Sequence, residues 1–469
     1  MTASSRKSSP TGSLARFAAL LALGCAPTHA GYPAVERLGE ERLGVKPVWH
    51  EAESAETRAQ HSAQVKKWLS EPLTVERAVR VALLNNPSLQ ASFEDLGSAR
   101  AALVQALRVP NPVASVALRF DGSTRPEVDL SATEDLTELM LLASRQGIAK
   151  AQLDAAALGV VGAAIALGYE ARAAFYGYQA ALQQGELRRT ALSALQASFE
   201  VAERLHAAGN ITELSLATEQ GAYEDARLAS ARAESELVAS RERLGALLGV
   251  FNADVAWTVA PRLPELPPTD ATLADLERRS LLSSLDLHAI KYRFDAAARR
   301  ANLSRWRGVL PELRAGVSAE RQSEWAVGPL VELELPLFYQ GQGEVGAALS
   351  EMRRQKSLFD ALALRVRAGA RATATRLATA RSNVVRYRDT VLPLRARILE
   401  ASQLEYNAMS IGVFQLLEAK RAQVQAGSAW VEALRDYWLS RADAEQLLAG
   451  RLPSSALAPA ERGPASAPH

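Results

Sequence analysis

One plan is written twice along this chain. From about Thr272 the second half restates what begins at Thr74: a short helix pattern, a second helix, two alternating strand-like runs and a helical stretch of unusual length. Thr74 aligns with Thr272 and Leu89 with Leu287 at an offset of 198, and Leu216 aligns with Leu416 and Leu247 with Leu447 at an offset of 200. A shared offset across so many elements marks a duplication. It replaces the several unrelated domains that 469 residues would otherwise allow.

The resulting boundaries are a signal peptide over 1–24, an N-terminal tether over 25–72, a first repeat over 73–249, a linker over 250–271, a second repeat over 272–450 and a disordered tail over 451–469. The tether is polar, with Trp49 and Trp68 as its anchors. The linker carries Pro261, Pro264, Pro267 and Pro268, and the tail is rich in Pro, Ala and Ser.

Arg6, Lys7 and Arg16 precede the apolar run Phe17 to Gly24, the layout of a secretion signal. Leu21-Ala22-Leu23-Gly24-Cys25 looks like a bacterial lipobox, which would leave Cys25 as a lipid-modified N-terminus. The alternative is plain secretion with cleavage after Ala30. With one cysteine, no intramolecular disulfide forms. Lys+Arg of 54 against Asp+Glu of 52 gives no electrostatic reason to expect nucleic acid. After the signal, no stretch reads as a membrane-crossing helix, so any membrane span falls to strands.

In Val113–Asp121, Val116, Leu118 and Phe120 alternate with Ala117, Arg119 and Asp121, the two-residue period of a strand with one apolar and one polar face. Val128–Thr133 continues the pattern after an Asp121-Gly122 turn. The second copy repeats it: Leu313, Ala315 and Val317 oppose Arg314, Gly316 and Ser318, and Val331, Leu333 and Leu335 oppose Glu332 and Glu334. A two-stranded ribbon is marginal alone, and hydrocarbon tolerates no open edge, so in a membrane these strands must close a barrel with other chains. A small soluble sheet with one wet face is the alternative reading.

Residues 140–208 contain no proline, and a helix of that length rises roughly 100 Å. Gly209-Asn210 ends it, and Thr212 caps a return helix to about Leu248 that is ~57 Å long. With the ~33 Å helix over 88–109 stacked on it, the return spans ~90 Å, so one long helix lies beside two shorter ones end to end. The second copy repeats this over 343–408, 413–448 and 286–309, with a kink expected at Pro393. Helices this long need coiled-coil partners.

These patterns resemble the TolC-like outer-membrane efflux proteins over roughly 70–450. Leu73-Thr74, Ala82-Leu83 and Asn85-Asn86-Pro87 are similar to the family's opening helix. Leu335-Pro336-Leu337-Phe338 and Gln340-Gly341-Gln342-Gly343 are similar to the strand-to-helix junction of its heavy-metal and drug-efflux branch, many of whose members are lipoproteins. Tyr406-Asn407-Ala408, Ile411, Phe414, Leu416-Leu417 and Ala419 look like its second tip turn and returning helix. Met409 stands where the family carries glycine, with Gly412 three residues on, so a differently shaped second turn is expected, whereas the first copy keeps Gly209.

The resemblance implies a mainly α fold of long helical hairpins with four transmembrane β-strands per chain. Three chains would form a homotrimer with a 12-stranded β-barrel in the outer membrane, continued by a helical tunnel through the periplasm. On alternation, Arg119, Asp129, Arg314, Glu332 and Glu334 then face the lumen, and Leu118, Phe120, Leu130, Leu333 and Leu335 face lipid. The candidate tip and gate residues are Arg204, Gly209, Glu213 and Glu219 in the first hairpin and Glu405, Met409, Gly412, Glu418 and Arg421 in the second. The implied partners are a periplasmic adaptor and an inner-membrane pump of the resistance-nodulation-division type.

Phosphate-binding, dinucleotide and nucleophile-elbow motifs are missing, and the six histidines form no ligand set with cysteine or carboxylate, His206 near the first tip being the nearest to a metal contact. No enzyme, cofactor or metal site is expected. The reading is a passive exit duct of a tripartite efflux system. The alternatives are the outer-membrane channel of a protein secretion system and a lipid-anchored periplasmic scaffold without a pore.

Overall fold

The computed structural model describes residues 30–52, 54–120, 126–250, 257–269, 275–321, 324–335, 337–338 and 340–457. The signal segment with Cys25, the Asp121-Gly122 turn, Thr272, Pro336 and the tail beyond Leu457 lie outside the described residues. In chain order the helices are α1 Tyr32–Leu43, α2 Ala55–Ser70, α3 Val75–Asn85, α4 Pro87–Leu107, α5 Leu136–Ala207, α6 Glu213–Leu248, α7 Leu276–Ser283, α8 Leu285–Val309, α9 Gln342–Arg386, α10 Leu392–Asn407 and α11 Val413–Ala449. The strands are β1 Val113–Arg119, β2 Glu127–Asp135, β3 Glu312–Arg321 and β4 Trp325–Glu334. They form one antiparallel sheet in the order β1-β2-β3-β4.

Helix α5, at 72 residues, rises ~108 Å and packs against α4 and α6 along its length. The joint where α6 meets α4 explains the Asn85-Asn86-Pro87 signature. The Asn86 side chain accepts from the Ser88 and Leu89 N–H groups at the start of α4, while its amide donates to the Leu247 carbonyl at the end of α6. Asn85 donates to the Leu248 and Gly249 carbonyls. One dipeptide thus satisfies the end of one helix and the start of the next.

The second copy builds the same joint from different residues. Ser284 caps α8 through Leu287 N–H, and Leu285 N–H donates to the Gly450 carbonyl. Gly249 and Gly450 end the two return helices with positive φ, and a Cβ on either would lie 2.3 Å from a backbone oxygen, of Asn85 or Ser283.

In the second hairpin the helix is broken as expected near Pro393, but by a π turn over Tyr387–Val391 placed just before it. Proline offers no N–H to the Asp389 carbonyl, and the Leu392 N–H bonds instead to Tyr387, five residues back.

Residues 30–72 are more than a polar tether. Pro33 opens α1, Ser54 caps α2 through Thr57 N–H, and Trp49 is buried, stacked on Phe93 of α4 with Nε1–H donating to Glu94. Residues 257–269 bind both hairpins: Gln179 of α5 donates to the Ala260 and Arg262 carbonyls, and Trp438 of α11 donates to that of Pro264.

The expectation that no helix is apolar enough to cross a membrane needs correction. By length and composition α5 qualifies, with a window of mean hydropathy 1.6, and 61% of that window is buried within the chain. Its Ala, Gly and Leu residues serve helix packing: Val161, Ala164, Ile165 and Ala171 lie in the main core with Val79, Phe93 and Leu244.

Candidate functional site

The strand register sorts the sheet into two faces. Ser115, Ala117 and Arg119 of β1 lie beside Ser131, Asp129 and Glu127 of β2, these beside Ser318 and Glu320 of β3, and Arg314 lies between Asp135 of β2 and Glu332 of β4. Glu312 faces Glu334 on the next rung. All five residues read from the sequence as lumen-facing, Arg119, Asp129, Arg314, Glu332 and Glu334, therefore share one face. Arg119 pairs with Asp129 at 3.0 Å and Arg314 with Glu312 at 2.5 Å.

The opposite face carries Val116, Leu118, Val128, Leu130, Val317, Val327, Val331 and Leu333. Val116, Val327 and Val331 are 68%, 74% and 66% exposed. A soluble sheet buries such a face, so this one is built for an apolar surround. Among the described residues the outer edges of β1 and β4 are unpaired.

At the far end of the hairpins the two tip turns have one geometry. Gly209 N–H donates to the His206 carbonyl and Asn210 N–H to that of Leu205; Met409 N–H donates to Tyr406 and Ser410 N–H to Glu405. Both are Schellman turns with the pivotal residue left-handed, Gly209 at φ 75° and Met409 at φ 57°. The expected difference in shape is absent. Methionine takes the glycine conformation and carries the steric cost of its Cβ instead.

Among the candidate tip charges the structure singles out Glu219 and Arg421. Glu219, only 7% exposed, accepts from Ser198 Oγ at 2.5 Å and from the Arg421 guanidinium of the other hairpin. Glu418 approaches the same guanidinium at 3.6 Å. Arg204, Glu213 and Glu405 are exposed, as are Gly209, Met409 and Gly412 at the turns. Glu213 meets His206 Nε2 at 3.1 Å while Nδ1 lies 3.2 Å from the Ile211 carbonyl, so His206 braces the first turn. Among the described residues no three His, Cys, Asp or Glu gather as a metal site.

Above this clasp the hairpins are tied by Gln184 and Ser428, whose side chains bond at 2.6 Å, and by Glu445, which binds Arg172 and Arg441. Between the clasp and the Gln184–Ser428 tie lies a cavity of about 500 Å³, walled by Ala191, Ala194, Leu195, Ala222, Leu417 and Val424. Burial near the upper tie pushes the Tyr176 phenol up to about 12.

Comparison with known proteins matches this architecture. No family model matches the chain. It is 22% identical over 397 residues to the cobalt-zinc-cadmium resistance protein CzcC of Cupriavidus metallidurans, covering 80% of this chain and 90% of that protein. It is 27% identical over 314 residues to outer membrane protein OprJ of Pseudomonas aeruginosa, covering 61% of this chain and 64% of that protein. The fold matches the outer membrane protein VceC of Vibrio cholerae at a TM-score of 0.64 and 16% identity, over 85% of this chain and 99% of that one. It matches the CmeC outer membrane channel of Campylobacter jejuni at 0.65 and 14%, over 81% and 86%.

The chain is similar in sequence and fold to the TolC-like outer-membrane efflux channels. It is a channel and not an enzyme, set in the outer membrane with a periplasmic extension, and channels of this family generally form trimers within tripartite efflux systems.

Sequence reading missed several residues of this TolC-like channel. Asp135, Glu312, Glu127 and Glu320 share the polar face because β2 runs straight into α5 and β3 extends at both ends beyond the alternating run Leu313–Ser318. Ser198 carries no signal of its own, being one serine on an exposed-looking helix until Glu219 folds against it.

Proposed function

We propose that the chain acts as a lipid-anchored homotrimeric exit duct, joined at its hairpin tips to a periplasmic adaptor and through it to an inner-membrane pump of the resistance-nodulation-division type. The observation that carries this reading is the sheet: four strands with one charged and one apolar face and two open edges, set on hairpins ~100 Å long. Three copies pair those edges into a closed ring of twelve strands, which a pore requires and a scaffold does not.

In this reading Arg119, Asp129, Arg314, Glu332 and Glu334 line the barrel, and the Glu219–Arg421 clasp holds the hairpin tips closed. Cys25 would carry the lipid, fixing the N-terminus in the same membrane. The cargo is a metal ion or a drug, in keeping with the metal-resistance relative, and energy comes from the pump.

Purified trimer in planar bilayers tests the duct: ion-conducting steps support it, and their absence both in the native protein and after Arg421→Ala would favour a scaffold. Crosslinking followed by co-purification identifies the pump. Recovery of a secretion ATPase in place of a proton-driven pump would move the chain to protein export.

A further inference from the structure

We infer that the collar where the helices meet the barrel binds anionic phospholipid of the periplasmic leaflet, with Arg108 and Arg305 as the phosphate contacts and Trp306 as the aromatic anchor. The inference rests on the channel reading and adds to it the class of lipid that the chain holds.

The packing of α8 shows which way its end faces. Ala296 and Leu303 pack with Leu141, Ile148 and Ala151 of α5. Ser304 and Gly308 lie against the segment that enters α9: a Cβ on Gly341 would stand 3.5 Å from the Ser304 carbonyl oxygen, and one on Gly308 would stand 2.0 Å from that of Gln340. At 3.6 residues per turn these two contact lines are about 110° apart around the helix. In a ring of helices the arc between neighbours is the narrower one on the tunnel side, so the wide arc faces outward. Arg305, Trp306 and Val309 stand on that wide arc, and all three are exposed. Closing three copies joins β1 of one chain to β4 of the next, and α8, flanked by its own α5 and α9, stays clear of the seam.

This outward arc runs directly into the apolar face of the sheet. Val309 lies three residues before β3, and the crossing from β4 to α9 leaves Leu337 and Phe338 exposed beside the same helix end. The first copy repeats the pattern where α4 gives way to β1, with Leu107 and Val109 exposed on either side of Arg108. Tryptophan at the edge of a hydrocarbon-facing surface sits at headgroup level. Charge then selects the lipid. Arg307, towards the narrow arc, is paired with Glu138, which also holds Arg145. Among the described residues Arg108 and Arg305 form no ion pair with a carboxylate. Guanidinium groups free of an internal counter-ion, set beside apolar surface at the membrane edge, match a phosphodiester carried between acyl chains.

The experiment is native mass spectrometry of the full-length trimer released from detergent after titration with phosphatidylglycerol, with phosphatidylcholine as the zwitterionic probe and inorganic phosphate as competitor. The native trimer should retain phosphatidylglycerol in preference. Arg108→Gln/Arg305→Gln should weaken that retention by about fivefold for each arginine removed and leave phosphatidylcholine unchanged, whereas Trp306→Ala should weaken both lipids. The same spectra show whether each variant is trimeric, and Arg305→Gln alone decides the matter if the double variant does not assemble. Equal retention of the two lipids, or a preference that survives the arginine substitutions, overturns the inference; displacement of the lipid by inorganic phosphate marks a plain anion site and overturns it equally. Conduction in planar bilayers, measured on the same preparation, separates this from the duct: channels without lipid preference leave the duct standing, and no conduction from native protein or from Arg421→Ala overturns the duct and this inference with it.

Discussion

Glu219 and Arg421 lie 202 positions apart and meet in an ion pair between the two hairpins, the carboxylate almost wholly buried and also bonded to Ser198. Removing one partner of a buried pair leaves an unpaired charge and costs about 3–5 kcal/mol, more than surface pairs contribute. Arg421→Ala and Glu219→Gln should both loosen the tips, raising influx of a bulky antibiotic that the outer membrane normally excludes. The double variant should add little to either single one, because the two residues act as one clasp. Full additivity in the influx assay would sink this account.

The second tip stores strain that the first does not. Met409 occupies the left-handed position that Gly209 fills in the first tip, with the same two turn hydrogen bonds. A side chain in that region costs about 1 kcal/mol relative to glycine. Met409→Gly should therefore slow hydrogen exchange of the Met409 and Ser410 amides without moving the turn, whereas Gly209→Met should speed it at the first tip. Equal exchange in native protein and Met409→Gly would remove the strain argument.

Pro393 and the π turn at Tyr387–Val391 are cause and effect. Beyond the turn no residue from 387 through 407 is buried within the chain, while the matching stretch of the first hairpin buries Ser198 and Ala202. Pro393→Ala restores the missing donor to the Asp389 carbonyl, so the π turn should relax to regular helix. Exchange protection at 389–393 should rise, and the second hairpin should stiffen. A π turn retained in a crystal structure of the variant would show that packing, not proline, sets it.

Legibility followed the physics of each signal. Strands and long hairpins were readable because alternation and helix length are local properties, and the five polar-face residues fell out of a period of two. The Asn85-Asn86-Pro87 motif announced a helix end but not its second task at the end of α6, since that contact joins residues more than 160 positions apart. Helices α1 and α2 escaped notice because they are short and polar, their anchoring supplied by Val35, Trp49 and Leu69 reaching into a core built elsewhere. Hydropathy misled at α5, where most of the apolar window packs within the chain, against α4, α6 and α8. Glu219 looked like one helix charge among several, and only packing distinguished it.

Acid should act on the upper joint through Asp443. This carboxylate accepts from Ser455 Oγ at 2.6 Å and from Arg376 at 3.1 Å, yet burial outweighs both and raises its pKa above the ordinary 3.8. Asp286, paired with Arg451, is raised for the same reason. In the window between the unfolded value and the raised folded one, the native state binds more protons than the unfolded state. Stability from these groups therefore falls as pH rises through that window and recovers as pH is lowered. Thermal denaturation of native trimer and of Asp443→Asn from pH 7 down towards pH 4 checks the sign. The native protein should gain on the variant as the medium becomes acidic; a native protein that loses ground there would show that the Arg376 pair, not burial, governs the site.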